Sequence, residues 1–589
     1  TAFAFVVNRH MEIKGLNMDD LYQWFCFNDN PFIAAVFTSG GTRFRALYNL
    51  VAWTEMKLFG THINWYVPFN IVLNSCLAYN LYRMAKRFSH SAYVGILCAV
   101  MFLMSRMSYY QIGQALGLME TMAMWMALGI LYFLLEYLGD EDETSANRRL
   151  YLAAVLYFCV CLVHERYMVL LPLFYFSLVF KLSKNWKLWA APTAGFALIQ
   201  LLRFIFIGTI SPPGTGGTDV VDTMSVSSVL HFVLSQIAYI FGINAGPEHL
   251  NGQNFREAPL GVTILIALAD LMIAVLVLAF VIRVLHKGKK MVPYLQKTFL
   301  FVAFIGACIV CSSVTIRVEM RWVYVSLTAA LLLLAYMYGY LTEGVKPELY
   351  LKRLWPWGAA FACYVILMLP AELFYRAQYP NLYLWPDQLR YNSLAEETYG
   401  RYGDSLFGKN IYIIGSSYKM SDFTARTFFK VFDKERTAEG TSVEFIDSIR
   451  DIGLVDSRML VLREDPEHNG FQDITQFVKE IKLNVEYGYY DDGWMDEHAS
   501  LTVMAGETGV IDLEIIYPGV MSGGEGIKIT KDQDEPFTIP VRSTVVNQTI
   551  EAEPWQMVHL TFDYNFYMHN AQEQRGKDRL AAIVHMTAR

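Results

Sequence analysis

Asp19 and Asp20 stand side by side in GLNMDDLYQW. An adjacent acidic pair offers one carboxylate to work and one to support it, as general base on an acceptor hydroxyl or as a ligand holding a divalent metal against a phosphate. The plain structural alternative is a cap for the helix that follows. His164, Glu165 and Arg166 are consecutive in VHERYMVLLP, between two apolar runs. Arg166 could bind a phosphate while Glu165 or His164 orients it or moves a proton; the alternative is an interfacial hinge with snorkelling side chains. Arg317, Glu319 and Arg321 alternate in IRVEMRWVY. An arginine at each end suits a planar fork onto an oxyanion, with Glu319 fixing one of them. Glu120 in GQALGLMETM and Arg203 in LIQLLRFIF are single charges inside apolar runs, and such a pair could simply neutralise itself. Arg43 and Arg45 flank an amphipathic stretch in GGTRFRALYN, where they could touch lipid phosphates or the same site.

These residues are conspicuous because of their background. The 589-residue chain is 54% hydrophobic and only 17% charged, against about a quarter charged in soluble domains. The depletion is uneven, since the sequence after about residue 376 reads as ordinary soluble protein. The net charge of −7 gives no reason to expect a nucleic-acid partner. Cys308 and Cys311 have CxxC spacing but lie in an apolar run without other ligands, so they read as small buried hydrophobes. No cysteine lies beyond Cys363.

Against the roughly 20 residues that a span needs, the candidates are 63–85, 91–109, 115–138, 150–163, 165–182, 187–208, 258–285, 297–316, 321–341 and 354–374. The opening TAFAFVVN reads as the outer end of a further span, giving about 11. The pair 150–163 and 165–182 could be two short spans or one long broken one. Positive charge fixes the orientation. With residues 9–62 outside, the inside loops carry Arg83, Lys86 and Arg87, then Arg148 and Arg149, then Lys181, Lys184 and Lys187, then Arg283, Lys287, Lys289, Lys290 and Lys297, and finally Lys346, Lys352 and Arg353. The candidate residues then share the outer side, and the soluble end is extracytoplasmic. Two outside loops are long. Residues 9–62 hold apolar pieces, FCFNDNPFIAAVF and ALYNLVAWTEMKLFG, that read as interfacial helices. Residues 209–257 begin with the Pro/Gly-rich TISPPGTGGTD and continue into VLHFVLSQIAYIFGI, a further surface helix.

Beyond a Tyr-rich connector, NIYIIGSS, VEFIDSIRDIG and RMLVLRED read as strands and DFTARTFFKVFDKE as a helix, a small α/β unit. From about residue 484 the alternation in ASLTVMA, VIDLEIIYP, GIKITKD, EPFTIPVR, MVHLTFDYN and LAAIVHM reads as a β-sandwich. The divisions expected are 1–375, 376–480 and 481–589. Gly415 in IIGSS lacks a dinucleotide or Walker pattern.

The stretches NMDDLYQW, TSGGTRFRALYNLVAW, YYQIGQALGLMETM, VHERYMVLLP and IRVEMRWVY, over roughly residues 1–375, resemble the GT-C superfamily of polytopic glycosyltransferases. The resemblance implies a bacterial plasma-membrane enzyme that moves a sugar from a polyprenyl-phosphate donor to a cell-envelope glycan or polymer, with inversion. It makes Asp19 or Asp20 the catalytic base and assigns the donor phosphate to Arg166, Arg317 and Arg321, with His164, Glu165, Glu319 and Arg203 beside them and Glu120, Arg43 and Arg45 in the same cavity. It implies no certain cofactor and leaves open a divalent cation, magnesium or manganese. YYDDGWMDEHASLTV and GKDRLAAIVHM are similar to a carbohydrate-binding-like sandwich, the likeness resting on Asp492, Gly493, Trp494, Asp578 and Arg579. A lipid-linked glycan flippase or exporter with a sugar-binding ectodomain is the alternative, and it predicts sensitive positions along a path through the bilayer. A membrane anchor for the outer domain, with Asp19 and Asp20 dispensable, is a third.

Overall fold

The computed structural model describes residues 1–16, 19–38, 43–60, 62–115, 117–210, 225–243, 257–286, 288–315, 318–343, 350–379, 385–415, 441–465, 467, 470–517, 524–570 and 574–589. Arg317, the side chain of Asp19, the TISPPGTGGTD loop from Ser211 on and the stretch DFTARTFFKVFDKE lie outside the described residues. The chain divides into two compact units. One holds Thr1–Leu16 and Gln23–Leu389; the other holds Asn17–Tyr22 and Arg390–Arg589.

The first unit is helical. After α1 (Ala2–Val7) come three helices of the first long loop: α2 (Asp19–Asp29), α3 (Phe32–Phe37) and α4 (Ala46–Phe59). The apolar runs that follow become α5 (Tyr66–Ser89), α6 (Ala92–Met104), α7 (Arg106–Ile112), α8 (Leu118–Gly139), α9 (Glu143–Cys161), α10 (Leu171–Phe180) and α11 (Trp186–Ile207). The second long loop contains α12 (Val226–Ile240). Its Ser235, Gln236 and Tyr239 are buried while Val226, Leu230 and Leu234 are exposed, the two-faced pattern of a helix lying on a surface. Then follow α13 (Leu260–Leu285), α14 (Val292–Ser313), α15 (Tyr324–Thr342), α16 (Tyr350–Tyr379) and α17 (Trp385–Tyr402).

Six helices among the described residues are long and apolar enough to cross a membrane: α8, α11, α13, α14, the segment Met320–Thr342 and the segment Trp355–Gln378. The bent pair α6 and α7 makes a seventh if it is one span. The chain is a multi-pass membrane protein. Every expected run has a helix, but α5 carries Asn70, Asn74, Asn80 and three basic residues, α9 starts with ETSANRR, and α10 has 10 residues. Polarity and length, not the absence of a helix, set these apart. Helices here approach through small residues. A Cβ at Gly339 of α15 would stand 2.2 Å from the Phe88 carbonyl oxygen, so α15 crosses the end of α5 only because that Cβ is missing.

Residues 150–182 form two antiparallel legs, not one broken span. Arg149, near the start of α9, pairs with Glu136 at 2.8 Å and with Asp140 at 3.1 Å. Lys181, just past α10, donates to the Asp140 carbonyl at 2.6 Å. The end of the second leg has therefore returned to the start of the first. Its turn is a 310 stretch, Glu165–Leu170, opened by His164.

The second unit holds two sheets. Strands β1 (Asn410–Ile414), β2 (Ser442–Ile446) and β4 (Met459–Asp465) are parallel and β5 (Gly470–Asp473) is antiparallel, in the order β2-β1-β4-β5. The helix α18 (Thr475–Lys482) leads into a sheet of order β10-β9-β12-β7-β13-β8-β11, built from β7 (Trp494–Met504), β8 (Val510–Ile516), β9 (Gly526–Lys531), β10 (Phe537–Pro540), β11 (Val545–Glu551), β12 (Met557–Tyr564) and β13 (Leu580–Ala588). The edge strand β6 (Leu483–Tyr489) pairs with β7, and β3 (Leu454–Val455) pairs with β13. Ile527 and Ile529 of β9 share one buried cluster with Ile511, Leu513 and Ile515 of β8. Strands far apart in sheet order share a core only if the sheet folds over on itself, the sandwich-like outcome that period-two alternation anticipates.

Candidate functional site

The site is built on the turn between the legs α9 and α10. The 162 carbonyl accepts from the backbone N–H groups of Leu47 at 3.1 Å and Tyr48 at 3.4 Å, which fastens the first turn of α4 to the hairpin. Three consecutive side chains then go to three different partners. His164 accepts from the Arg166 backbone N–H through Nδ1 at 3.3 Å. Glu165 accepts from the Phe44 N–H at 2.5 Å and pairs with Arg203 of α11, whose side chain is fully buried. Arg166 pairs with Glu120, third residue of α8, and donates to the Tyr167 hydroxyl at 3.0 Å. Glu120 and Arg203 are thus each ion-paired, but not with each other as their isolation in sequence suggested. Burying a charge is tolerable only with such a partner.

A second element brings in Arg321. It pairs with Glu319 across the 310 turn Met320–Val323, so Glu319 does fix one of the two arginines of IRVEMRWVY. The first loop adds Arg43 and Arg45. Burial, with Arg43 alongside, pushes Arg45 down to about 10, and Glu165 and Arg321 also act on it. His164 is held well below the usual imidazole range, by burial first and then by Arg166, Arg45, Arg43 and Arg321. Four guanidinium groups from three segments of the chain therefore act on one imidazole. With Arg203 the cluster has five arginines against the three carboxylates of Glu120, Glu165 and Glu319, while His164 stays neutral.

Arg166 uses Nη2 for Glu120 and Tyr167, and its Nη1 makes no hydrogen bond among the described residues. A guanidinium with spare N–H groups in a water-poor place is suited to an oxyanion such as a phosphate. The described residues contain no group of three or more His, Cys, Asp or Glu able to hold a metal ion.

Asp19 and Asp20 open α2, and Asp20 is buried. An acid in a first helical turn also meets the positive end of the helix dipole. In the second unit, Asp492 accepts from the Trp494 N–H at 3.4 Å and pairs with Arg575 at 3.1 Å, while the Arg575 guanidinium lies 5.8 Å from the Trp494 ring centroid. Arg579 pairs with Glu497 at 2.6 Å and sits over the Tyr567 ring at 3.6 Å. Asp578 is exposed.

The apolar run 91–109 conceals another buried polar centre. Ser105 and Arg106 break it into α6 and α7, bent by 55°. The Arg106 N–H donates to Glu372 at 2.8 Å, and its guanidinium donates to the Tyr239 carbonyl at 2.6 Å and lies over the Tyr239 and Tyr375 rings. Arg376 donates to Asn8 at 2.7 Å and to the carbonyls of Leu103 and Val7. The knot ties α1, the break, α12 and α16 together, and α7 packs on the Met320–Val323 turn that carries Arg321. The sequence signal was SRMSYY, a serine and an arginine inside a run of otherwise apolar residues.

Fold and cluster together define a multi-pass membrane protein with an arginine-rich charged site at one end of its helices. Among solved structures, the chain is similar to ArnT from Cupriavidus metallidurans bound to undecaprenyl phosphate, at 14% identity and a TM-score of 0.43 over 82% of this chain and 95% of that one. The apo state of the same protein matches at 12% identity and the same TM-score. The arabinofuranosyltransferase AftD from Mycobacteria matches at 12% identity and a TM-score of 0.36, over 100% of this chain and 58% of that one. No family model matches the chain, and no curated protein matches it. The functional reading rests on the geometry of the site.

Proposed function

We propose that the chain is a GT-C-type glycosyltransferase that moves a sugar from a polyprenyl-phosphate donor to a cell-envelope glycan or polymer on the outer face of a bacterial plasma membrane. The observation that carries this reading is the gathering of five arginines from four separate segments at the hairpin turn, around His164 and beside the ends of membrane helices. A lipid phosphate lies at that level of a bilayer. Arg166 would hold it with its spare Nη1, and Arg45 and Arg321 would stabilise the charge that grows on the leaving phosphate as the glycosidic bond breaks. Arg43, Arg203 and Arg317 belong to the same reading.

Asp19 or Asp20 is the proposed base. It would take the proton of the acceptor hydroxyl as the oxygen attacks C1 of the sugar; one displacement inverts that centre. A divalent cation, if used, would be held by this acidic pair. The β-sandwich would hold the acceptor glycan, with Trp494 as a stacking face and Asp492, Asp578 and Arg579 as hydrogen-bonding groups.

The test is sugar transfer by the purified protein in detergent, with a panel of polyprenyl-phosphate monosaccharides and an envelope extract as acceptor. Wild type is compared with Asp19→Asn and Asp20→Asn. Loss of transfer in one of the two, with folding intact, supports the enzyme and names its base. Equal transfer by all three removes the acidic pair from the mechanism. No transfer with any donor, alongside retained binding of lipid-linked glycan, supports the flippase reading instead.

A further inference from the structure

The helices that hold the arginine cluster at one end carry a second charged centre at the other. On α8, Glu120 and Glu136 are 16 residues apart, about 24 Å along the axis. Glu136 takes Arg87 of α5 through two bonds, at 3.1 and 3.2 Å, and Arg149 of α9 at 2.8 Å. Arg149 also reaches Asp140 at 3.1 Å. Lys181, past the end of α10, donates to the Asp140 carbonyl. Lys297 of α14 completes the group. Its Nζ lies 2.9 Å from where a Cβ on Gly139 would stand, so this glycine makes room for it. Lys297 has no hydrogen bond or ion pair among the described residues.

Four cations share this group with Glu136 and Asp140, and Glu343 also acts on Lys297. Glu136 and Asp140 are bonded to Arg87 and Arg149, and Lys297, with no bonded partner among the described residues, is the cation placed to meet an anion from outside the protein. The surroundings decide which anion. Val179 and Leu182 flank Lys181 and are exposed, as are Leu295 and Phe299 on either side of Lys297. Cations set among exposed apolar side chains at the end of membrane helices meet headgroup phosphate and acyl chain together. A soluble anion would gain nothing from the apolar surface.

We propose that Arg87, Arg149, Lys181 and Lys297 form a binding site for the phosphate of an anionic membrane lipid, on the membrane face opposite the arginine cluster. The site is independent of the glycosyl-transfer reading.

The test is native mass spectrometry of the full chain in neutral detergent, titrated with phosphatidylglycerol, phosphatidylcholine or inorganic phosphate. Retention of phosphatidylglycerol in preference to phosphatidylcholine is expected. Lys297→Gln should weaken it about fivefold, and Lys297→Arg should keep it. Arg148 is the control: it is the neighbour of Arg149, exposed, and in no ion pair among the described residues, so Arg148→Gln removes the same charge without touching the site. Equal loss in Arg148→Gln and Lys297→Gln would mean diffuse surface charge and would overturn the proposal. So would equal retention of phosphatidylcholine, or displacement of the lipid by inorganic phosphate. The lipid-induced rise in unfolding midpoint, read on each variant, separates lost binding from lost folding.

Discussion

Arg166 crosses from the hairpin turn to Glu120 in the first turn of α8 and ion-pairs with it, both side chains largely buried. The contact sets two roles for one guanidinium: Nη2 secures the fold, while Nη1 is available to an anion. The roles can be separated. Arg166→Gln leaves Glu120 buried without its cation, at a cost of about 3–5 kcal/mol, and removes the proposed hydrogen-bond donor to the phosphate as well. The double variant Arg166→Met with Glu120→Leu removes both charges and should recover most of the stability. Transfer should stay down by about a hundredfold or more in both. Unfolding midpoints and initial rates measured on the same preparations check this. A double variant that recovers rate along with stability would confine Arg166 to the fold.

His164 gives a pH signature. Its folded value is pushed well below the unfolded one by burial and four arginines. The unfolded chain therefore takes up a proton that the native chain refuses as pH falls through about 6.5. Stability from this group is complete above that pH and declines below it. The unfolding midpoint of wild type should fall between about pH 6.5 and 5, and His164→Gln should flatten that part of the curve. Unchanged slopes would mean that His164 titrates alike in both states.

Trp494 tests the sandwich separately from the membrane unit. Its ring is half-buried and has Arg575 on one side, so one face at most is left for a sugar. Trp494→Ala should weaken binding of the acceptor glycan by about tenfold and leave the unfolding midpoint unchanged. If the midpoint falls and binding does not, the ring serves only to close the β6–β7 turn.

Several of these relationships were legible in the sequence, because charge inside an apolar run is costly and marks itself. His164–Glu165–Arg166, Glu120, Arg203 and Glu319–Arg321 were found that way, and the helices lie where the runs are. Partners were not legible. Glu120 and Arg203 looked like a natural pair, but the fold gives Glu120 to Arg166 and Arg203 to Glu165, since pairing depends on which helices become neighbours. Arg106 was missed because one arginine between Ser105 and Met107 does not lower the apolarity of a 19-residue run. The knot with Glu372, Tyr239 and Tyr375 draws on segments more than 100 residues away. In the soluble end, β11 and β6 escaped because VVNQTIE and LNVEYGY are edge-strand sequences with mostly exposed residues.

Glu165 is the residue on which the first loop hangs. One carboxylate accepts the Phe44 N–H and neutralises Arg203, two tasks that differ in what they require. Accepting an N–H needs only an oxygen, which glutamine also has; neutralising a fully buried guanidinium needs a charge. Glu165→Gln should therefore keep the loop docked while losing several kcal/mol of stability, about 3–5 by analogy with other half-broken buried pairs. Glu165→Ala should lose both and release the segment around Phe44. Tryptic cleavage at Arg43 and Arg45 reads the difference, with glutamine near wild type and alanine cut faster at a temperature where both variants remain folded. Because Arg43 and Arg45 also act on His164, undocking should raise the imidazole toward its ordinary range, and the acid-side loss of stability should shrink in the alanine variant. If glutamine is cut as fast as alanine, the charge on Glu165, and not its hydrogen bond to Phe44, is what holds the loop.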